Sequence, residues 1–249
     1  MRLAGRIAIV TGGASGFGRG IAEAFAREGA SVMVADRDTK GAAAVAAGIG
    51  KAAVPFTCDV SMKSDVDAMV AACIQTFGGL DILVNNAGIT HANQSLLTVT
   101  EDEFDRIYAV NVKSIYLTTL AAVPALEQRG GGSIIITAST AGVRPRPGLT
   151  WYNGSKGAAL TLTKSMAAEL APKNIRVNAI NPVIGETGMI ERFMGMPDTP
   201  ENRAKFTAGI PLGRFSKPSD IANAALFFAD PSSSFVTGTA IEVDGGRCI

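Results

Sequence analysis

Short apolar runs alternate with longer periodic segments along the whole chain. Ile7–Thr11 (IAIVT) is β-branched and apolar and ends at a glycine cluster; Ser31–Asp36 (SVMVAD) has the same character. Similar runs fall at residues 52–57, 80–84, 133–138, 175–180 and 239–243. Runs this short and this continuously apolar predict strands buried on both faces. Between them, residues 21–28, 65–77, 103–126 and 152–170 repeat apolar positions at helical spacing, and an alanine-rich segment after Asp36 suits a further helix. The alternation predicts an α/β fold: a Rossmann-like, doubly wound, seven-stranded parallel sheet ordered 3-2-1-4-5-6-7, with helices on both faces.

No segment is rich enough in Pro, Gly or Ser to mark a linker, and no internal repeat is present. Residues 1–249 therefore read as one dinucleotide-binding and catalytic domain. Two stretches break the rhythm: residues 141–150 form a Gly/Pro/Arg loop, and residues 183–211 form an insertion rich in Met and Phe, read as a substrate loop or lid. Both follow strand ends, the rim where open α/β sheets bind ligands.

Composition narrows the class. A net charge of +1 argues against dependence on nucleic-acid phosphates. No apolar stretch approaches the ~20 residues of a membrane span, and MRLAGR leads into the first apolar run without a signal-peptide pattern. Cys58, Cys73 and Cys248 form no CxxC, and His91 is the lone histidine, which leaves little for a metal site. The expectation is a cytoplasmic protein with reduced thiols, no metal, and no nucleic-acid or membrane partner.

The segment TGGASGFG (residues 11–18) follows the first strand. Its glycines at 12, 16 and 18 suit a tight turn whose backbone approaches a pyrophosphate at a helix N-terminus. Asp36, at the end of the second strand, is placed to accept hydrogen bonds from the adenosine ribose. Its charge favours NAD over NADP, although Arg37 beside it can pair with a 2′-phosphate. Asp59 has two open readings, a contact to the adenine amino group or a helix cap.

In TWYNGSKGA (residues 150–158), Tyr152 and Lys156 share one helical face. Tyrosine at its free pKa of ~10 is a poor base at neutral pH. A lysine ammonium one turn away favours the phenolate. Ser139, at the end of the fifth strand, can hydrogen-bond the same substrate oxygen, and Asn111 can anchor a water beside the lysine. The small residues Gly154, Ser155, Gly157 and Ala158 let this helix approach its surroundings closely.

These pieces, with NNAG at 85–88, NPVIGET at 181–187 and EVDGG at 242–246, resemble the classical short-chain dehydrogenase/reductase family over essentially the whole chain. The resemblance implies that Tyr152 is the general acid/base and that Lys156 binds the nicotinamide ribose and tunes the tyrosine. Ser139 orients the reacting oxygen, and Asn111 completes the tetrad through a relay water. It implies a cofactor cleft lined by Gly12, Ser15, Gly16, Phe17, Gly18, Asp36, Arg37, Asp59, Val60, Asn86, Ala87, Gly88 and Val110. Pro182, Gly185 and Thr187 would meet the nicotinamide end. It also implies a homotetramer, with the helices at 103–126 and 152–170 forming one interface and residues 236–249 joining another. Val183 departs from the glycine common after this proline and adds bulk near the pocket.

Substrate contacts are sought among His91, Asn93, Arg144, Arg146, Trp151 and Val183, under a lid at residues 189–206. Arg144 and Arg146 suit a carboxylate or an acyl carrier's phosphate, or else solvent or a subunit contact. The leading expectation is NAD-linked oxidation of a small polyol, sugar or cyclic alcohol, with the reverse ketone reduction. The alternatives are NADPH-linked reduction of a 3-oxoacyl thioester and a non-catalytic dinucleotide-binding scaffold.

Overall fold

The computed structural model describes residues 1–249. Strands β1 (Ile7–Thr11), β2 (Ser31–Asp36), β3 (Ala53–Thr57), β4 (Ile82–Asn85), β5 (Gly132–Thr137), β6 (Ile175–Pro182) and β7 (Ala240–Val243) form one sheet. Its order is β3-β2-β1-β4-β5-β6-β7, and every pairing is parallel. Val10 is in register with Val34 on one side and Val84 on the other. The strand order reverses between β1 and β4, so the connections leaving these two strands diverge and open a crevice at their C-terminal ends.

Both faces of the sheet are covered, which is why the strands read as unbroken apolar runs. Helices α1 (Gly16–Arg27) and α2 (Thr39–Ile49) pack on one face with the later helix Pro218–Ala229. Phe25, Ile21 and Phe228 are fully buried there. On the other face α3 (Lys63–Phe77), α5 (Ser114–Gln128) and α6 (Thr150–Leu170) pack over Ile9, Leu83, Ile134 and Val177, and α4 (Glu101–Tyr108) packs against α6. A third, small core lies at the strand ends. Val183, Ile190, Met194, Ile210 and Phe215 cluster beneath α7 (Ile190–Met194) and α8 (Pro200–Thr207); α9 is Pro218–Ala229.

Differences from the expected boundaries have local causes. Helix α1 starts at Gly16 rather than residue 21, because positive φ angles at Gly12 and Gly16 (66° and 54°) turn the chain straight from strand into helix. Helix α4 begins at Glu101, where Thr100 and Glu103 form a reciprocal capping box. The stretch Glu101–Gln128 is one continuous helical path broken by a π turn at Ala109–Lys113. By length and composition it is apolar enough to cross a membrane, contrary to the expectation that no stretch approaches a span. Its charges cluster at the start, Glu101, Asp102, Glu103, Asp105 and Arg106, while residues 107–126 carry only Lys113. Ile107, Ile115, Leu117, Ala122 and Leu126 are buried in the protein's own core, which accounts for much of that apolarity.

Candidate active site

The crevice at the β1/β4 reversal is a continuous cleft of about 770 Å³. It is floored by strand ends and walled by residues of the 183–211 segment. At one end the β1–α1 turn is held in shape by the segment after β4. The Asn86 side chain donates to the Thr11 carbonyl (2.9 Å) and the Gly12 carbonyl (3.3 Å), while the amides of Asn86 and Ala87 both reach Thr11 Oγ1 at 3.1 Å. Thr137 Oγ1 meets Asn86 Oδ1 at 3.2 Å, tying β5 into the same lattice. The glycines serve different purposes. A Cβ on Gly12 would lie 2.9 Å from Ala87 Cα, whereas one on Gly18 would lie 2.1 Å from the Gly12 carbonyl oxygen. Gly18 is buried and stands outside the cleft, so its role is to let the first turn of α1 close against the glycine turn.

Gly12, Ser15, Gly16, Phe17, Asp36, Arg37, Asp59, Val60, Asn86, Ala87, Gly88 and Val110 all line the cleft, as do Pro182, Gly185 and Thr187. Ser15 is the N-cap of α1, yet its side chain makes no capping bond, leaving the hydroxyl open to the cleft. Asp36 accepts from the amides of Ala14 (3.1 Å) and Asp38 (2.9 Å), so the carboxylate orders the turn it faces. Asp59 does not cap α3, whose N-cap is Met62. Its side chain closes a local turn by accepting from the amide and hydroxyl of Ser61, and these bonds hold its pKa below the usual value.

Tyr152 and Lys156 project from the first turns of α6, both buried (6% and 5% exposed). Lys156 Nζ donates to the Thr137 carbonyl at 2.7 Å and lies 5.9 Å from the Tyr152 ring centroid. Asn111 sits in the π turn, a local widening often found at functional sites. Its Oδ1 accepts from the Ile89 amide (2.9 Å), and its Nδ2 reaches the Ile89 carbonyl (2.9 Å) and Ser155 Oγ (3.0 Å). A Cβ on Gly88 would stand 3.3 Å from Lys156 Nζ and 3.4 Å from Asn111 Oδ1, so lysine and asparagine converge on one glycine. Ser139 lines the same end of the cleft and accepts from the Ala141 amide (3.0 Å).

The electrostatics depart from the expected pairing. Burial pushes the Tyr152 pKa up to about 12, and the influences opposing it are the Ser139 side chain and the Arg146 charge. Burial also lowers Lys156 to about 8. Desolvation penalises the charged form of both groups, and Lys156 is directed at the Thr137 carbonyl. The cation that favours the phenolate is Arg146, for which the sequence suggests a substrate anion, solvent or a subunit contact.

The expected substrate residues separate. Arg146 and Val183 line the cleft, with Val183 part of the small core. Arg144 also borders it, but its guanidinium donates to the carbonyls of Arg247 and Ile249 and so secures the C-terminal tail. His91 is buried away from the cleft, its Nδ1 2.7 Å from the Ala92 carbonyl. Trp151 points outward, donating to the Leu96 carbonyl (3.1 Å) and packing edge-on to Phe104. Residues that sequence reasoning missed include Arg192, Lys205 and Arg247, all bordering the cleft. Arg192 and Lys205 sit on the short helices α7 and α8 and Arg247 in the tail, and a basic residue at such a position carries no local sign of what it will face.

Comparison with known proteins gives matches along nearly the whole chain. A family model described as enoyl-(acyl carrier protein) reductase matches residues 12–247. The chain is 52% identical over 252 residues to the 4-formylbenzenesulfonate dehydrogenase of Comamonas testosteroni, covering 100% of both. It is 38% identical over 254 residues to the 3-oxoacyl-[acyl-carrier-protein] reductase of Thermotoga maritima, again covering 100% of both. The crystal structure of a 3-ketoacyl-(acyl-carrier-protein) reductase from Brucella melitensis complexed with NADH superimposes with a TM-score of 0.95 at 47% identity, covering 99% of this chain and 100% of that one.

Proposed function

The chain belongs to the short-chain dehydrogenase/reductase family and is an NAD(P)-dependent oxidoreductase; from that premise we propose that it uses NAD(H) to interconvert a carbinol and a carbonyl, with the Tyr152 hydroxyl moving the proton. The observation that carries this reading is that Tyr152, Ser139 and Lys156 line one end of a cleft whose other end is the glycine turn, with Asn111 behind Gly88 beside the lysine.

The residues present fit the dinucleotide. The uncapped Ser15 hydroxyl and the first-turn amides of α1 suit a pyrophosphate. Gly12, Gly16 and Phe17 would flank it, while Asp36, Arg37, Asp59 and Val60 would hold the adenosine, with Val110 alongside. Pro182, Gly185 and Thr187 would support the nicotinamide amide. Asp36 supports NAD over NADP because a carboxylate repels a 2′-phosphate, and the similar Brucella protein was solved with NADH.

Bound NAD(H) supplies or accepts the hydride. The protein's own work is the proton. A Tyr152 phenol whose pKa is pushed up to about 12 keeps its proton at neutral pH and can donate it to a developing alkoxide. In the oxidising direction, Ser139 and Arg146 offset part of the cost of the phenolate. Lys156 would hold the nicotinamide ribose, and Asn111 would position the relay water.

Of the substrate readings, reduction of a 3-oxoacyl thioester has the support of two similar proteins, the Thermotoga and Brucella reductases. The leading expectation, oxidation of a small polyol, sugar or cyclic alcohol, has less support among the similar proteins than this thioester reading. We further propose that residues 1–249 act as one domain, with 183–211 as its substrate loop, and that the three free cysteines fit a reducing, cytoplasmic setting. A homotetramer would cover Tyr116 and Leu120 on α5, and Phe235 near the C-terminus, all exposed here. Light scattering should then give four chains per particle at micromolar concentration, and monomer alone would reject the assembly.

Tyr152→Phe tests the mechanism. NADH affinity should stay within about threefold, while kcat falls by about a thousandfold, within the range for losing a positioned proton donor. Turnover at the wild-type level would reject the assignment.

A further inference from the structure

The acids lining the cleft are confined to one end, where Arg37 accompanies them. Its two carboxylates, Asp36 and Asp59, both lie at the end assigned to adenosine. The substrate end carries Arg146, Arg192, Lys205 and Arg247 and has no acid among its lining residues. None of these four cations has a carboxylate within 4.0 Å, whereas Arg129, Arg203 and Arg214 elsewhere each do. Cations left unpaired around a concave site repel one another and attract an anion.

Arg146 is the best placed of the four. Its guanidinium is half-buried and stacks over the Phe206 ring (5.1 Å to the centroid), and its Nη2 donates to the Phe193 carbonyl at 2.5 Å. The backbone carbonyl of Arg146 accepts from Asn153 Nδ2 (2.9 Å), tying the arginine loop to α6 one residue beyond the catalytic tyrosine. One donor is therefore spent on fixing the side chain, and the rest of the fork stays available for a carboxylate or sulfonate. Burial and the neighbouring Arg247 charge both work against the guanidinium's own charge, so an anion seated between the two would relieve it. The surrounding walls are flat and apolar: the Phe193 ring lies edge-on to Tyr152 at 5.3 Å, and Phe206, Leu149, Val183 and Met189 complete the lining.

Resting on the oxidoreductase reading above, we propose that the substrate end of the cleft is an anion site centred on Arg146, and that the substrate is a small planar alcohol or carbonyl compound carrying a sulfonate or carboxylate away from the reacting carbon. The reaction is R–CH(OH)–R′ + NAD⁺ giving R–C(=O)–R′ + NADH + H⁺, where R′ is hydrogen or carbon. The carbinol C–H bond breaks as hydride leaves for the nicotinamide, the O–H proton passes to Tyr152, and the C=O bond forms.

The test uses the enzyme with NAD(H) and three matched para-substituted benzyl alcohols, bearing sulfonate, carboxylate or neutral carboxamide. Wild type should show kcat/KM at least about 100-fold higher for the two anions than for the carboxamide, a difference of about 2.7 kcal/mol. Arg146→Gln should cut that ratio at least tenfold, and Arg146→Lys should retain part of it. A binding measurement without turnover accompanies this: benzenesulfonate should raise the melting temperature of the NADH complex, while benzamide should not, and Arg146→Gln should abolish the shift. A carboxamide used within threefold of the sulfonate would overturn the proposal. So would an Arg146→Gln variant that loses activity on all three alike, or a 3-oxoacyl-CoA used more efficiently than every arene. Failure of the proton-transfer reading is separable: Tyr152→Phe would then turn over normally, with the binding shift still present.

Discussion

The two ends of the cleft are built by opposite means. At the glycine-turn end, shape comes from backbone. Amides and carbonyls of Thr11, Gly12, Asn86 and Ala87 are locked by short hydrogen bonds, and the carboxylates of Asp36 and Asp59 are satisfied by nearby amides. At the substrate end, shape comes from side chains brought by α6, the arginine loop, α7, α8 and the C-terminal tail, and their charges are left unpaired. Backbone geometry serves a ligand part that is the same across a family. Long side chains on loops can change substrate without disturbing it.

The sharpest way to break the contrast is to place a methyl group in the backbone-built end. In Gly18→Ala the new Cβ would meet the Gly12 carbonyl at 2.1 Å and Asn86 Nδ2 at 2.5 Å. Because neither the turn nor its buttress can give way cheaply, stability should fall by about 3 kcal/mol, and NADH binding should weaken with it. Urea unfolding and NADH fluorescence titration would measure both. Wild-type values in both would mean that the turn is not the rigid element described here.

A second test addresses the junction between the ends, where Lys156 is buried without a carboxylate partner. Its pKa is lowered from 10.5 to about 8, so its contribution to stability is fully present above pH 10.5 and is lost as pH falls through 8. A shift of this size corresponds to about 3 kcal/mol, offset by about 1 kcal/mol for the bond to the Thr137 carbonyl. Lys156→Met should therefore make the ligand-free protein about 2 kcal/mol more stable at pH 7, although inactive. The gain should shrink as pH rises toward 10. Measurements should stop there, because Tyr152, raised to about 12, begins to withdraw stability as pH climbs from 10 towards 12. A gain that stayed constant with pH would locate the strain elsewhere.

The smallest effect is expected at Asp36. Asp36→Ala removes the charge proposed to face the ribose and two loop hydrogen bonds. The NADH-over-NADPH preference should narrow by about tenfold, equivalent to ~1.4 kcal/mol, with both nucleotides still bound. Tighter NADPH binding by the wild type would reverse the assignment and point to Arg37.

The fold was legible because its signals are local. Short apolar runs, a glycine turn after the first of them and an acid after the second are contiguous in the chain, and together they specify a parallel sheet and its switch point. Tyr152 and Lys156 were legible for the same reason, lying one helical turn apart. The environment of the tyrosine was not. Its burial, and the fact that Arg146 rather than Lys156 opposes that burial, depend on how the loop after β5 lies against α6 and α7. His91 and Trp151 show the same limit: both are close in sequence to site residues, and packing turns both away.

Sequence alone thus determined the layers, the strand order, the glycine turn and the placing of Tyr152 and Lys156 on one helical face, since each follows from periodicity or from neighbours within a few residues. Tertiary structure alone decided which charges share the substrate end. Arg146, Arg192, Lys205 and Arg247 come from three separated stretches, the loop after β5, the 183–211 segment and the C-terminal tail. Electrostatic interaction depends on distance in space and on the water excluded between groups, and neither quantity is written in the order of residues along the chain.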